Sequence, residues 1–275
     1  MIVITGATGN VGRPLVTTLT AAGERVTAVS RTATGSPHHR VADLADPGTL
    51  RPVLDGADAL YVIVAGCGQD LDPQGILDTA KAGGVRHVVL QSSQLTGTRP
   101  DSSSHAPLRA FEEAVRGSGL DWTVLHPAGF ASNAGLWAEQ VRARRTVAAP
   151  FGDVGLPVVD PADIAAVAAT VLRDRRRHAG RTYVLTGPEA ITPREQARAL
   201  GEAVGEPVRF EELSREAARA QLLHVMPAVV AEGTLSVLGE PSAQEREVSP
   251  DVERLLGRPA GSFAGWAARN AAIFR

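Results

Sequence analysis

The stretch Met1-Ile-Val-Ile-Thr-Gly-Ala-Thr-Gly-Asn-Val-Gly12 decides the fold of this 275-residue chain. Its Ile-Val-Ile run predicts a buried strand, three glycines follow at a spacing of three, and Arg13–Ala22 predicts a helix. In such a unit Gly6 permits the tight turn, Gly9 lets a pyrophosphate approach the backbone, and Gly12 lets the helix pack closely on the strand. The helix amides and dipole then hold the phosphates. The opening therefore predicts a dinucleotide-binding site, with a purely structural turn as the alternative.

Strands and helices alternate across the first half of the chain. Strands are predicted at 25–30, 59–65, 86–91 and 121–125, with a short one from Val41 into Asp43, and helices at 71–82 and 107–116. Continuous apolar strands that alternate with helices imply a parallel sheet covered on both faces. We therefore expect an α/β fold, a doubly wound Rossmann sheet over 1–130. Helical patterns dominate after it and predict a smaller, mostly helical substrate domain over 131–275, with some strands returning to the main sheet.

The composition narrows the class of protein. The net charge is −2 without a basic stripe, so nucleic acid is not an expected partner. Cys67 is the only cysteine, which excludes an internal disulfide and favours a reducing compartment. No apolar run reaches the roughly 18 residues that cross a bilayer, no room is left for a signal peptide, and His38-His39 lacks further ligands for a metal. We expect a cytoplasmic protein with a small-molecule substrate and no membrane partner. The sequence leaves the oligomeric state open, a homodimer included.

The end of the second strand indicates which dinucleotide binds. An acidic residue there favours NAD, and a positive one accommodates the 2′-phosphate of NADP. The strand ends with Ser30-Arg31, so Arg31 can pair with that phosphate and Ser30 can hydrogen-bond it. NADP(H) is therefore the expected cofactor, with an ordinary solvated arginine as the alternative. We expect Asp43 and Leu44 at the adenine edge; a helix cap before Pro47 is an equal alternative for Asp43.

Several segments together resemble the atypical short-chain dehydrogenase/reductase superfamily and, within it, the NmrA-like group. They are GATGNVG at 6–12, Arg31, VADL at 41–44, AGGVRHVVLQSS at 82–93, SGLDWTVLHPAGF at 118–130 and VVDPADIAAVAATVL at 158–172. The resemblance covers nearly the whole chain and implies a Rossmann fold that binds NADP. The group is functionally mixed. It includes quinone, azo-dye and triphenylmethane-dye reductases, isoflavone-type reductases, and non-catalytic sensors that bind NADP.

The catalytic set of ordinary superfamily members is absent from this chain. They use a serine, a tyrosine that protonates a carbonyl oxygen, and a lysine that lowers the pKa of the tyrosine. Here the only tyrosines are Tyr61 and Tyr183, and the only lysine is Lys81. No Tyr-x-x-x-Lys can be drawn, which excludes that mechanism in its usual form.

Other side chains stand where that set is expected. Ser92 and Ser93 end a strand at the carboxyl edge, where ligands bind, and either contact nicotinamide or substrate or merely cap the strand. His105 and Arg109 are spaced to share one helix face, and Pro107 places His105 at or just before the helix start. His105 could donate a proton near neutral pH, and Arg109 could bind ribose or phosphate. The alternatives are that His105 is an ordinary loop residue and that Arg109 is a solvated helix residue.

The end of the sixth strand supplies further candidates. His126 is a second candidate proton donor, where the family often has arginine; a satisfied packing histidine is the alternative. Phe130 and Trp137 are expected to form an apolar substrate wall, or else belong to the core. His224 and Met226 interrupt two helices and could cap the cleft, a helix corner being the alternative. The expected cofactor contacts are Gly6, Ala7, Thr8, Gly9, Asn10, Val11, Gly12, Ser30, Arg31, Asp43, Leu44, Ala65, Gly66, Ser92, Arg109, Pro127, Ala128 and Gly129.

Intact cofactor-binding residues beside a missing Tyr–Lys acid predict an NADPH-dependent oxidoreductase. We expect hydride transfer to a small conjugated electrophile, such as a quinone, an enone or a related aromatic or polyketide compound. The product of such a transfer is a delocalised anion that water or a histidine can protonate. Two alternatives stay open: a non-catalytic NADP(H)-sensing regulator that binds a protein partner, and a redox-neutral isomerase, cyclase or dehydratase of specialised metabolism.

Overall fold

The computed structural model of the protein describes residues 1–36, 38–64, 68 and 70–275. The expected cofactor contacts Ala65 and Gly66, and also Cys67, lie outside the described residues. The strands are β1 (Ile2–Ile4), β2 (Val26–Ser30), β3 (His39–Val41), β4 (Ala59–Ile63), β5 (His87–Gln91), β6 (Asp121–Pro127), β7 (Thr146–Ala149), β8 (Arg181–Leu185) and β9 (Arg209–Glu212).

Helices connect these strands and make up most of the second half of the chain. They are α1 (Gly12–Ala21), α2 (Pro47–Leu54), α3 (Pro73–Ala82), α4 (Leu95–Thr98), α5 (Ala106–Gly117), α6 (Ala138–Arg144), α7 (Pro161–Arg173), α8 (Arg175–His178), α9 (Pro193–Val204), α10 (Arg215–Leu222), α11 (Ala228–Gly239), α12 (Ala243–Arg246), α13 (Asp251–Leu256) and α14 (Phe263–Arg269). Short 3₁₀ helices lie at Ser103–His105, Ala131–Trp137 and Ala271–Ile273.

The main sheet has the strand order β3-β2-β1-β4-β5-β6-β8. The registers that join β3 through β6 are all parallel, from Ile2 opposite Val26 to Gln91 opposite Leu125. The strand order reverses at β1, between β2 and β4, and ligands of such sheets bind at the carboxyl ends beside this reversal. The predicted doubly wound Rossmann sheet is confirmed.

One face of this sheet carries an apolar core. Alternate strand residues such as Val3, Leu60 and Val88 pack there with Leu50 and Phe111 of the helices. The helices that pack against one another over this face are α2 with α3 and α3 with α5. Because α5 lies over β5 and β6, its inward side chains reach the ends of both strands.

The chain forms two compact units, and each unit consists of three separate segments of the sequence. Unit 1 comprises Met1–Asp101, His105–Pro127 and Ala162–Val184; unit 2 comprises Ser102–Ser104, Ala128–Pro161 and Leu185–Arg275. Unit 1 therefore includes a segment that lies well beyond residue 130, the end of the expected cofactor domain. Unit 2 holds the two-stranded sheet of β7 and β9 and an aromatic core around Trp266.

Some elements differ from the sequence prediction. The third strand begins at His39, two residues before the expected Val41, because His39 pairs with Ala28 across the sheet. The start of this short, half-exposed edge strand could not be predicted, because its sequence is polar. Val159 forms only a single bridge, with Phe130. The polar stretch 239–249 contains α12, which Ser242 begins with a capping box.

Candidate active site

The glycine loop after β1 has the shape that a pyrophosphate requires. Gly6 has a φ of +61°, a conformation that favours glycine. A Cβ on Gly12 would lie 2.2 Å from the carbonyl oxygen of Gly6, so only glycine lets α1 start this close to the turn. Thr8 and Gly9 are exposed at the tip of the loop. The loop therefore fits a dinucleotide.

Hydrogen bonds hold this loop against the sheet. The amide of Ala7 donates to the carbonyl of Val29 in β2, at 3.1 Å, and the amide of Gly9 donates to Gly6 at 3.0 Å. Asn10 is exposed, whereas Val11 is buried under the first turn of α1. The loop is thus fixed to the end of β2, where the ribose of a bound dinucleotide is expected.

The residues expected at the adenosine lie at the ends of β2 and β3. Arg31 is exposed, whereas Ser30 is nearly buried. Ser30 Oγ donates to the carbonyl of Thr32 at 2.8 Å, so the serine hydroxyl is used within the protein. Oδ1 of Asp43 accepts from the amide of Ala45 at 3.1 Å.

The cap of α2 is not Asp43. It is Asp46, whose side chain accepts from the amide of Gly48. Leu44 is half-buried and packs against the main core. The structure thus removes the helix-cap alternative for Asp43, and contact with the adenine stays a prediction.

Glu112 of α5 lies at the centre of a buried cluster at the carboxyl ends of β5 and β6. Its Oε1 atom accepts from Ser92 Oγ at 2.5 Å, from Thr96 Oγ1 at 2.7 Å and from His126 Nε2 at 2.8 Å. Its Oε2 atom accepts from Arg116 Nη2 at 2.7 Å. We call these five residues the Glu112 cluster. It ties the ends of two strands to the helix that covers them.

The electrostatics of the cluster favour an ionised carboxylate. Burial raises the pKa of Glu112, but the hydrogen bond and charge of His126 and the hydrogen bonds from Ser92 and Thr96 outweigh it and lower the pKa to about 2. His126 Nε2 therefore donates to a carboxylate that stays charged at neutral pH. The structure brings Ser92 and His126 together, and both side chains are directed to Glu112.

His105 and Arg109 form a second group on the same helix. His105 is the residue that precedes α5 and ends the 3₁₀ turn, and Pro107 lies in the first turn of the helix, as the sequence predicts. Burial and the positive charge of Arg109 both lower the pKa of His105. The imidazole is therefore largely neutral at pH 7, and the effect of Arg109 agrees with a shared helix face.

The remaining candidates of unit 1 have local partners. Ser93 Oγ accepts from the amide of Leu95 at 3.2 Å, which is the strand-end cap given as its alternative. Tyr61 is fully buried and donates its hydroxyl to Gln91 Oε1 at 2.9 Å, and burial raises the pKa of Tyr61. The hydroxyl of Tyr183 is hydrogen-bonded to Nδ1 of His178 at 2.8 Å. The hydroxyls of both tyrosines of the chain are thus hydrogen-bonded to other residues of unit 1.

The other candidates belong to unit 2. Gly129 is exposed and Phe130 half-buried, next to Ala128, whose amide donates to Leu185 at 2.9 Å. Trp137 is half-buried against the aromatic core, in line with its core alternative. Nδ1 of exposed His224 is hydrogen-bonded to the carbonyl of Ala220, and half-buried Met226 contacts Thr234; both mark a helix corner.

Two classes of feature are not found in the described part of the chain. None of its His, Cys, Asp and Glu side chains form a group of three or more that could hold a metal ion. None of its helices has both the length and the apolar character that a membrane span needs.

Sequence reasoning missed Glu112, the central residue of the cluster. A signal was present, because Glu112 falls with Phe111 and Val115 on the apolar face of α5, whereas its neighbour Glu113 falls on the exposed face. A carboxylate on an apolar face needs buried partners. That argument points to Glu112 without naming the partners.

Comparison with known proteins agrees with this geometry. The model of the NAD(P)H-binding family matches residues 6–175, and the chain belongs to this family. A (4-alkanoyl-5-oxo-2,5-dihydrofuran-3-yl)methyl phosphate reductase of Streptomyces griseus is 38% identical over 100% of this chain and 99% of its own length. The NAD(P)H azoreductase of Xenophilus azovorans is 30% identical over 100% of this chain and 99% of its own length.

Solved structures have the same fold. The NADPH-dependent quinone oxidoreductase QOR2 of Escherichia coli, in complex with NADPH, is 25% identical, with a TM-score of 0.80 over 98% of this chain and 99% of that chain. The negative transcriptional regulator NmrA, at 20% identity, shares the fold with a TM-score of 0.75 over 99% of this chain and 95% of that chain. The fold of NmrA is thus shared by this chain, and the nicotinamide cofactor and the oxidoreductase class are confirmed.

Proposed function

We propose that this protein is an NADPH-dependent reductase of a carbon–carbon double bond conjugated to a carbonyl group. The observation that carries the proposal is the engagement of both tyrosines, which leaves no tyrosine to protonate a carbonyl oxygen. The Streptomyces griseus relative supports the substrate class. By its name, that relative reduces a dihydrofuranone whose ring double bond is conjugated to the ring carbonyl and to an alkanoyl group.

This substrate class suits the residues of the site. NADPH, when bound, supplies a hydride, and the complete reduction adds one hydride and one proton across the double bond. The negative charge that develops is spread over the conjugated carbonyl, so a strong acid at that oxygen is not needed. A single proton donor near the α carbon is sufficient. The rest of the rate enhancement comes from holding the substrate and NADPH in the geometry that hydride transfer requires.

We assign the proton-donor role to His105 rather than to His126. His126 Nε2 is directed to the carboxylate of Glu112, whereas the His105 imidazole stands at the start of α5 beside Arg109. In this proposal the Glu112 cluster holds the ends of β5 and β6 in place and takes no part in the proton transfer. Arg109 contributes ribose or phosphate contacts.

The proposal extends to the cofactor, the second unit and the location. The glycine loop would hold the pyrophosphate, and Arg31 would pair with the 2′-phosphate, which favours NADPH over NADH. Unit 2, with Phe130 and Trp137, would bind the apolar part of the substrate. The lone cysteine and the small-molecule chemistry agree with a cytoplasmic location.

A substrate panel tests the proposal. Purified protein is given NADPH with an alkanoyl-substituted butenolide, 2-cyclohexenone, menadione and benzaldehyde, and the loss of NADPH absorbance is followed. We expect the butenolide to react fastest and the simple aldehyde not to react. Binding of NADPH without oxidation by any of the four compounds would refute the reductase and favour the sensing regulator.

The pH profile of the same reaction tests the role of His105. Because burial and Arg109 lower the pKa of His105, kcat should fall as pH rises through a midpoint below 6.5, its ordinary value. His105→Gln should abolish this limb, and His38→Gln, in an exposed histidine, should keep it. An unchanged limb in His105→Gln would assign the proton to another group.

A further inference from the structure

The end of β2 is held by a side chain from the neighbouring strand. In the register of β2 and β3, His39 pairs with Ala28, which is two residues before Ser30. Residues two apart on a strand share a face, so the side chains of His39 and Ser30 lie on the same face. They meet at 2.7 Å between His39 Nε2 and Ser30 Oγ.

The direction of this hydrogen bond follows from a count of protons. The Ser30 hydroxyl has one proton, and Oγ donates it to the carbonyl of Thr32 at 2.8 Å. The Ser30 oxygen therefore accepts from His39, and Nε2 is the imidazole nitrogen that carries the proton. The result is a chain of two hydrogen bonds from His39 through Ser30 to Thr32.

The residues joined by the second of these hydrogen bonds, Ser30 and Thr32, lie on either side of Arg31 in the sequence. Residue 31 stands between the serine that donates and the threonine that accepts, and its own side chain is exposed. On the other side, the amide of Ala42 donates to the carbonyl of Ser30 at 3.2 Å, and the glycine loop is bonded to the preceding residue, Val29. The backbone of Arg31 is thus fixed relative to both β3 and the glycine loop.

We infer that His39 determines cofactor specificity: through Ser30 it holds Arg31 in place for the 2′-phosphate of NADPH. The inference rests on the proposed use of NADPH. His39 is a positioning residue here, because it acts through Ser30 and Arg31. Loss of His39 differs from loss of Arg31, because the charge of Arg31 stays present while its guanidinium is less well placed.

Binding of two cofactor fragments tests the inference without catalysis. Adenosine 2′,5′-bisphosphate and 5′-AMP differ only in the 2′-phosphate, and calorimetry gives the Kd of each. We expect His39→Leu to weaken the bisphosphate about tenfold and Arg31→Ala to weaken it about a hundredfold, with less than about twofold change for 5′-AMP. His39→Gln should recover most of the affinity, because its amide can donate to Ser30. His38→Leu, in the exposed neighbour, should match the wild type.

A loss of general structure would weaken both ligands, so their ratio isolates the 2′-phosphate. The double variant Arg31→Ala/His39→Leu should bind no more weakly than Arg31→Ala, because His39 acts through Arg31. An unchanged ratio in His39→Leu, or additive losses in the double variant, would overturn the inference and leave the reductase proposal intact. If His39→Leu does not fold, Ser30→Ala removes the same chain of bonds and must show the same selective loss. A wild type that binds neither fragment would overturn the cofactor site itself.

Discussion

Two buried histidines on neighbouring strands of one sheet have opposite surroundings. At the carboxyl end, His126 donates to the charged carboxylate of Glu112 at 2.8 Å. At the amino end, His87 Nε2 lies 3.1 Å from Thr123 Oγ1, which donates its own proton to the carbonyl of His178 at 2.9 Å. We call His87, Thr123, His178 and Tyr183 the His87 cluster. One end of the sheet holds a buried carboxylate with its hydrogen-bond donors, and the other holds a chain of polar groups without a carboxylate.

The difference lies in the polar groups that surround each imidazole. Burial lowers the pKa of His87 to about 4, the positive charges of Arg175 and His178 add to this effect, and Asp121 only partly offsets it. A protonated His87 would also bury an N–H at Nδ1, which has no partner among the described residues. The buried carboxylate of Glu112 is charged at neutral pH at the end of the sheet where the glycine loop and His105 lie, whereas His87 at the other end stays neutral.

The largest expected effect comes from removing the carboxylate. Glu112→Ala should lower the free energy of unfolding by about 4 kcal/mol, because it leaves the buried groups of Ser92, Thr96 and His126 without their shared acceptor. Urea unfolding at pH 7 measures it. Glu113→Ala, in the exposed neighbour on α5, should change it by less than about 0.5 kcal/mol. Equal effects of the two substitutions would contradict the central role of Glu112.

The His87 cluster should make the free energy of unfolding sensitive to acid. The folded pKa of His87 is about 4 and the unfolded value is 6.5, so the unfolded chain binds more protons between these values and stability falls as pH drops from 6.5 to 4. The loss from this group should be on the order of 2 to 3 kcal/mol. His87→Leu should flatten the pH dependence in this window, since Thr123 keeps its bond to His178.

His87→Leu should also leave the Kd of NADPH and kcat at their wild-type values, because His87 lies at the end of the sheet away from the glycine loop. An unaltered slope of stability against pH between 6.5 and 4 would show that other groups take up the protons.

A smaller effect should follow from changing the partner of Glu112. His126→Gln keeps an N–H donor for the carboxylate but removes the imidazole, whose hydrogen bond and charge help to lower the pKa of Glu112, and we expect a loss of about 1 to 2 kcal/mol at pH 7. Glu112 contributes stability above its unfolded pKa of 4.5 that is lost as pH falls to about 2. In His126→Gln this low-pH loss should shrink, because the folded pKa of Glu112 rises. His38→Gln serves as the control, and an identical acid limb in both variants would show that His126 does not lower the pKa of Glu112.

The smallest effect is expected at the far end of the His87 cluster. Tyr183→Phe removes the hydroxyl that is bonded to His178 and should cost about 1 kcal/mol. The thermal midpoint measures it, with no change expected in NADPH affinity. A loss as large as that of Glu112→Ala would mean that the two ends of the sheet are equally dependent on their polar groups.

Much of unit 1 could be predicted from local patterns. The glycine spacing and the apolar strands are local features, so they indicated the loop, the parallel sheet and the start of α5 beside His105. The partners of the buried side chains could not be predicted. Glu112 meets Ser92 and His126 across 20 and 14 residues, and such contacts depend on how α5 lies over the sheet. The same limit hid the pairing of Ser30 with His39, which needs the register of an edge strand with a polar sequence.

The division of the chain has a consequence for dissecting the protein. The segment Ala162–Val184 returns to unit 1 and carries α7 and most of β8, the strand next to β6. A fragment that stops near residue 130 would lack β8 and expose β6 as an unprotected sheet edge. Exposed edges of this kind pair with other chains and aggregate. Any minimal nucleotide-binding version of this protein must therefore be a chimera, with residues 162–184 grafted behind Pro127 through a new linker.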